Sequence, residues 1–203
     1  MEILNELHFD TLGEIINIGT GRAAQGLSED IGESVQSSVP NVELIQLDDV
    51  SVASLRLVSE KFGIVTQQFC GALNAEVMLL FAEENVLRIV RNMMGMEIDI
   101  DVVREFENEA MCELGNIMIN ACLASITDML HIVIESSLPH YSTKSSSEIT
   151  NHIKRSPNKE FVLASHVDFA IEGIPTEGKL FFLMNSAAIG NIAKEINHCA
   201  SKL

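Results

Sequence analysis

The chain has 203 residues, 47% of them hydrophobic and 21% charged, with 12 Gly and 4 Pro, a globular composition that excludes wholesale disorder and collagen-like repeats. Thirteen Lys and Arg stand against 29 Asp and Glu, a formal charge of −16. Nucleic-acid backbones and anionic membrane surfaces both call for the opposite sign, so the electrostatic match is a basic protein surface.

In chain order, the first predicted element is a long helix from Phe9 to about Ile31, with apolar residues at helical spacing. A strand from Glu33 to Pro40 follows, closed by a proline that cannot donate to a ladder. Residues 48–58 fit a short helix. Gly63 to Cys70 and Glu76 to Phe81 then flank a turn containing Gly71 and Asn74, a hairpin pattern. An amphipathic helix from Glu84 to Met94, stopped by Gly95, ends the first half.

The second half follows the same grammar. A helix is predicted from Glu105 to about Leu130 and a strand from His131 to Pro139. The Ser-rich stretch 143–155 offers Ser145 or Ser146 as a helix cap, yet Thr143 to Lys159 as a whole is polar and is expected to be a mobile connection. Phe161 to Ile171 and Lys179 to Met184 flank Gly173-Ile174-Pro175 as a second hairpin, and Ser186 to His198 is the last helix.

A shift of 99 residues lays Leu12-Gly13-Glu14-Ile15-Ile16-Asn17-Ile18 over Met111-Cys112-Glu113-Leu114-Gly115-Asn116-Ile117. Without a gap it also lays Ser37-Ser38-Val39-Pro40 over Ser136-Ser137-Leu138-Pro139. Chance could supply one such match but hardly the set at one offset. The expectation is a duplicated unit, about 1–99 and 100–203, forming one domain over 1–203. A three-stranded unit makes a poor core alone, so the two should share one sheet in an α+β fold with the long helices on the surface.

Cys70, Cys112, Cys122 and Cys199 show neither a C-x-x-C pair nor zinc spacing, as expected of reduced thiols. Met1 to Asp10 lacks the pattern of a secretory signal, and apolar runs such as Val77 to Ala82 are short of a membrane span. A soluble cytoplasmic protein without membrane insertion is expected. His8 fits a solvated residue before a helix, and the methionines, Met93, Met94 and Met96 among them, fit core filler.

At about 100° per residue, Asp10, Glu14 and Asn17 share one stripe of the first helix, opposite Leu12, Ile15, Ile16, Ala23 and Leu27. Glu109, Glu113, Asn116 and Asn120 form the matching stripe of the second, opposite Met111, Leu114, Met118 and Cys122. Asn is a mediocre helix former, and Gly19 and Gly21 weaken the same helix, so these positions favour something other than solvation. Small residues beside the stripe would let another molecule come close. A carboxamide offers donors and an acceptor and can hold a water in one orientation, while a neighbouring carboxylate can pair with a partner's cation. Both abilities suit phosphoryl transfer to water.

The spacing Asp10-x3-Glu14-x2-Asn17-x22-Pro40, repeated as Glu109-x3-Glu113-x2-Asn116-x22-Pro139, resembles the signature of the CheC/CheX/FliY family of bacterial chemotaxis phosphatases, in the two-motif form of CheC. The resemblance implies hydrolysis of the aspartyl phosphate of a CheY-type response regulator. It casts Asn17 and Asn116 as orienting the attacking water and Glu14 and Glu113 as pairing with the regulator's lysine. Asp10, Glu109, Gly21 and Asn120 would meet the partner, and Pro40 and Pro139 would complete the motif. It implies no cofactor or metal of the chain's own, Mg²⁺ arriving with the phosphorylated partner, and a CheD-like deamidase as a possible further partner. Glu109 replaces the shorter Asp of the first copy, and Asn120 stands where the first helix has Gly21, so the first motif lies nearer the pattern. Two other readings compete: a docking module without catalysis, and a hydrolase holding its own metal between paired carboxylates, for which no His joins either stripe.

Overall fold

The first long helix begins at a cap made by its own sequence. The Asn5 side chain accepts from the His8 backbone N–H at 3.1 Å, and the His8 ring accepts from the Asn5 N–H at 3.0 Å, satisfying two donors that a helix start leaves open. The computed structural model describes residues 4–32, 34–94, 100–171 and 174–201. Among them run α1 (Glu6–Ile31), β1 (Val35–Ser37), β2 (Asn41–Gln46), a 3₁₀ turn (Leu47–Asp49), β3 (Lys61–Gly71), β4 (Ala75–Ala82) and α2 (Glu83–Met94). Then come α3 (Ile100–Leu130), β5 (Ile134–Ser136), β6 (His140–Ser145), α4 (Ser146–Lys154), β7 (Phe161–Ile171), β8 (Ile174–Met184) and α5 (Ser186–Ala200).

The eight strands form one antiparallel sheet in the order β1-β7-β8-β4-β3-β5, with β2 also on β7 and β6 also on β3. The order is symmetric about the central β4–β8 pair, whose register sets Leu79 opposite Leu180. Each half therefore lends its first two short strands to the hairpin of the other half. This is the expected α+β class with the sheet shared between halves.

Because both faces of the sheet are covered, β4 is apolar throughout its centre. Val77, Leu79 and Phe81 face the larger core, packed with Leu12, Ile16, Leu114, Met118 and Ile189 of the helices. Met78 and Leu80 face a smaller core with Val50, Leu55, Ile149 and Ile153. Alternation along one strand thus divides the helix layer from the α4 layer.

Several expectations change. The strands expected to end at Pro40 and Pro139 resume beyond each proline as β2 and β6, on the same neighbours. Proline cannot donate, yet it can interrupt an edge strand without ending the pairing. The polar stretch taken for a mobile connection is helix α4, capped reciprocally by Ser145 and Glu148 and anchored by buried Ile149 and Ile153. The short helix expected at 48–58 is only the 3₁₀ turn followed by turns. Gly71 takes φ 114°, and its N–H donates to the Asn74 side chain at 3.3 Å in the expected turn. The stops at Gly95 and Gly173, and Met96, lie outside the described residues.

His8 is not solvated. It is buried inside α1, and its Nε2 lies 3.2 Å from Asn197 Oδ1, tying α1 to α5. Among the described residues one helix, spanning Asp101–Leu130, is long and apolar enough to cross a membrane, which the short apolar runs of the sequence did not suggest. Half of its apolar window is buried inside the protein, against α1 and the sheet.

Candidate active sites on the paired helices

Helices α1 and α3 lie side by side over the sheet. A Cβ added to Gly19 would meet the Cys122 Cα at 2.6 Å, and one added to Gly26 would meet Ile117 at 3.6 Å. Advancing along α1 thus retreats along α3, so the helices are antiparallel and carry their N-terminal stripes toward opposite ends of the pair. Arg22 spans the seam, donating to Ser125 Oγ and Asp128 Oδ2 at 3.3 Å each.

Gly19 was expected to open space for a partner; instead it is buried and lets the two backbones touch. Gly115 is buried too and makes room for the Val65 side chain of β3, where an added Cβ would come 2.3 Å from a Val65 methyl. Gly21 does leave open space, with nothing within 4 Å of an added Cβ. Burial pushes the Cys122 thiol up to about 12, so it acts as a neutral packing group beside Gly19. The four cysteines are all unpaired.

The outward stripe stands as the periodicity predicts. Asp10, Glu14 and Gly21 are exposed and Asn17 is half-buried, while Leu12, Ile15, Ile16, Ala23 and Leu27 are buried. On α3, Glu109 and Glu113 are exposed and Asn116 and Asn120 half-buried, over buried Met111, Leu114, Met118 and Cys122. In both helices an acid and a carboxamide three residues apart face away from the core. Among the described residues, no group of three or more His, Cys, Asp or Glu gathers as a metal-ligand set.

The prolines close in from the sheet side. Pro40 is buried between β1 and β2, and Pro139 is half-buried between β5 and β6, its carbonyl 3.8 Å from Cys112 Sγ. Gln67, buried on β3, donates to the Ser137 carbonyl at 2.8 Å and steadies the approach to Pro139. On α3 the motif lines a cleft of about 640 Å³, where Glu109, Glu113, Asn116 and Pro139 meet Met93 and Met94 from the end of α2. Those two methionines pack partly on the core and also wall the cleft, beyond their expected role as filler.

One feature of the sites escaped the sequence reading. Val39 and Leu138, each just before a motif proline, are 78% and 88% exposed; Leu7 and Phe106, one turn before each stripe, are 49% and 43% exposed. Both pairs obey the 99-residue shift. An apolar residue beside the proline at the same offset was the available signal. On α3, where Phe106 and Leu138 line the cleft with Glu109, Glu113 and Asn116, acid, carboxamide and bare apolar side chains meet, the mixed character of a protein-docking surface.

The hydrogen bonding differs between the stripes. Asn120 Nδ2 donates to Asn116 Oδ1 at 2.7 Å. Asn17 has no side-chain partner among the described residues; only its backbone carbonyl accepts, from Thr20 Oγ1 at 3.0 Å. The position two residues before each stripe also differs: where α1 has His8, α3 has Glu107, which accepts from the Tyr141 hydroxyl at 2.5 Å. Burial, then the Glu107 carboxylate, drives that hydroxyl's pKa well above the usual tyrosine range.

No family model matches the chain. It is 21% identical over 174 residues to the putative CheY-P phosphatase CheC1 of Halobacterium salinarum, covering 84% of this chain and 87% of that protein. It is 25% identical over 151 residues to the CheY-P phosphatase CheC of Bacillus subtilis, covering 68% of each. Among solved structures, Thermotoga maritima FliY superposes with a TM-score of 0.76 at 22% identity, over 97% of this chain and 98% of that one. The FliM middle domain of H. pylori gives 0.63 at 9% identity, over 95% and 99%. CheX in a CheX–CheY–BeF3–Mg complex from Borrelia burgdorferi gives 0.51 at 13% identity, over 82% and 96%. Relatives named CheC and fold neighbours named FliY, FliM and CheX agree with the repeated motif, and together they are consistent with the CheC/CheX/FliY family.

Proposed function

We propose that this chain removes the phosphoryl group from the aspartate of a CheY-type response regulator in a chemotaxis pathway, working beside it in the cytoplasm. The observation that carries this reading is the outward presentation, on each long helix, of a carboxylate and a carboxamide one turn apart. Relatives named CheY-P phosphatases and a fold neighbour in complex with CheY support it.

The chemistry follows from what these side chains can do. A carboxamide is too weak a base to deprotonate water, so Asn17 or Asn116 orients the water by hydrogen bonding, in line with the phosphorus–oxygen bond. Water oxygen bonds to phosphorus, the bond to the aspartyl oxygen breaks, and the regulator's carboxylate leaves; the water's protons stay with inorganic phosphate and solvent. Glu14 or Glu113 pairs with a lysine of the regulator and fixes the docking register. The regulator brings its own Mg²⁺, which neutralises phosphoryl charge. The net charge of −16 concentrates a partner with a basic rim.

A second reading has its own support. The fold is shared with the FliM middle domain, and the exposed Val39 and Leu138 suit docking without turnover. Decay of radiolabelled phospho-regulator separates the two. Faster decay with the chain, lost in the Asn17→Ala/Asn116→Ala double variant, supports the phosphatase. Demonstrable binding with unchanged decay favours the docking module.

A further inference from the structure

The four-residue step beyond each carboxamide is where the two sites part. On α1 the step leads to Gly21, exposed, with open space where a side chain would be. On α3 it leads to Asn120, which leans back along the helix as side chains do and donates to Asn116 Oδ1 at 2.7 Å. The same motif position therefore has its acceptor available on one helix and engaged on the other.

We propose that Asn120 is a positioning residue acting as an internal latch on Asn116, making the α3 site the slower of the two and leaving the α1 site as the faster. The inference rests on the phosphatase reading. To orient a water, a carboxamide must turn its acceptor to the water's proton. Asn116 must first give up, or share, its bond to Asn120; Asn17 gives up nothing. The cost falls when the water is placed for attack, so it belongs to turnover rather than to docking. The Asn120 side chain also stands at the motif position where Gly21 leaves open space. Glu113, exposed one turn earlier, is outside this bond and keeps its docking role.

The test separates the sites by silencing one at a time. In an Asn17→Ala background only α3 can act, and Asn120→Ala is expected to raise kcat about twofold to tenfold, the worth of one partly exposed hydrogen bond, with KM unchanged. Ala favours the helix, so a gain cannot come from loosening it. Conversely, Gly21→Asn in an Asn116→Ala background is expected to lower kcat by a similar factor, since it installs the latch where there is room for it. A fall or no change in kcat with Asn120→Ala overturns the latch, a fall meaning that Asn120 organises Asn116 for catalysis instead. A KM change without a kcat change overturns it too, reducing Asn120 to a docking contact. If the Asn17→Ala/Asn116→Ala double variant retains the full rate, the phosphatase reading itself fails and takes the latch with it, an outcome distinct from the others.

Discussion

Helices α1 and α3 present the same acid–carboxamide pair to solvent, yet their surroundings differ at three points. Asn17 is followed by Gly21, which leaves open space where a side chain would be, whereas Asn116 lines a walled cleft and is bonded to Asn120. Just before its stripe, α1 is pinned to α5 through His8 and Asn197, and α3 to β6 through Glu107 and Tyr141. A residue pattern at matching spacing thus places matching groups on matching faces, but it does not give them matching freedom. Neighbours drawn from elsewhere in the fold decide how rigid each group is and what it must release to act.

The largest expected effect tests whether the shared groups carry the activity at all. Replacing Asn17 and Asn116 together should lower the accelerated decay of phospho-regulator by about a hundredfold or more, the scale seen when a positioned hydrogen-bonding group is removed from an active site. Asn17→Ala alone should cost more than Asn116→Ala alone, because the unlatched site carries the larger share. A larger loss from Asn116→Ala would invert the comparison between the helices.

Next in size is a test of the scaffold that keeps both stripes facing out. Gly19→Ala puts a methyl 2.6 Å from the Cys122 backbone, where no flexible side chain can yield. The helices must separate, at a cost of about 1–3 kcal/mol, read as a drop in Tm. Gly21→Ala, in open space and a better helix former, should instead hold or raise Tm. An unchanged Tm for Gly19→Ala would mean that the seam between α1 and α3 is looser than the geometry shows.

A smaller effect distinguishes docking from chemistry. Leu138→Ser should weaken regulator binding at the α3 site about threefold to thirtyfold by removing an exposed apolar contact without changing charge, and without lowering Tm. Val39→Ser should do the same at the α1 site. If binding is unaltered in both, the bare apolar residues serve some other surface.

How much of this was legible in the sequence follows from where each signal lies. The long helices announced themselves because burial on one face imposes a 3.6-residue period, and the same period put Glu14, Asn17, Glu113 and Asn116 outward. The hairpins β3–β4 and β7–β8 were legible from apolar runs around turn residues. Strands β2 and β6 were not, since an edge strand buries little: of His140 to Ser145 only Tyr141 is buried. Helix α4 showed its cap but not its anchoring, because two isoleucines among polar residues make a weak stripe until the sheet supplies their partners. The use of Gly19 depended on Cys122, a hundred residues away, and no local pattern could name it. The Asn116–Asn120 bond was an i, i+4 pair open to inspection, but only the fold shows that both amides stay half-buried and meet.

The smallest effect probes the face of the sheet away from the sites. Glu76 is buried on β4, and its Oε1 lies 2.7 Å from His152 Nε2 on α4. Burial pushes its carboxyl up, but the hydrogen bond and charge of His152, aided by Gln68 and Lys159, outweigh it and hold the group below the ordinary carboxylate value of 4.5. A carboxyl with a depressed folded pKa adds stability that is fully present above the unfolded value. That contribution is lost as pH falls through the folded value. Melting followed downward from neutral pH should therefore show an acid-limb fall in Tm that Glu76→Gln flattens, while phosphatase turnover at neutral pH keeps its preference for the α1 site. If Glu76→Gln leaves the acid limb as steep as before, the Glu76–His152 pair does not hold α4 to the sheet. The two sites, sharing α1 and α3 on the opposite face, should differ from each other just as much either way.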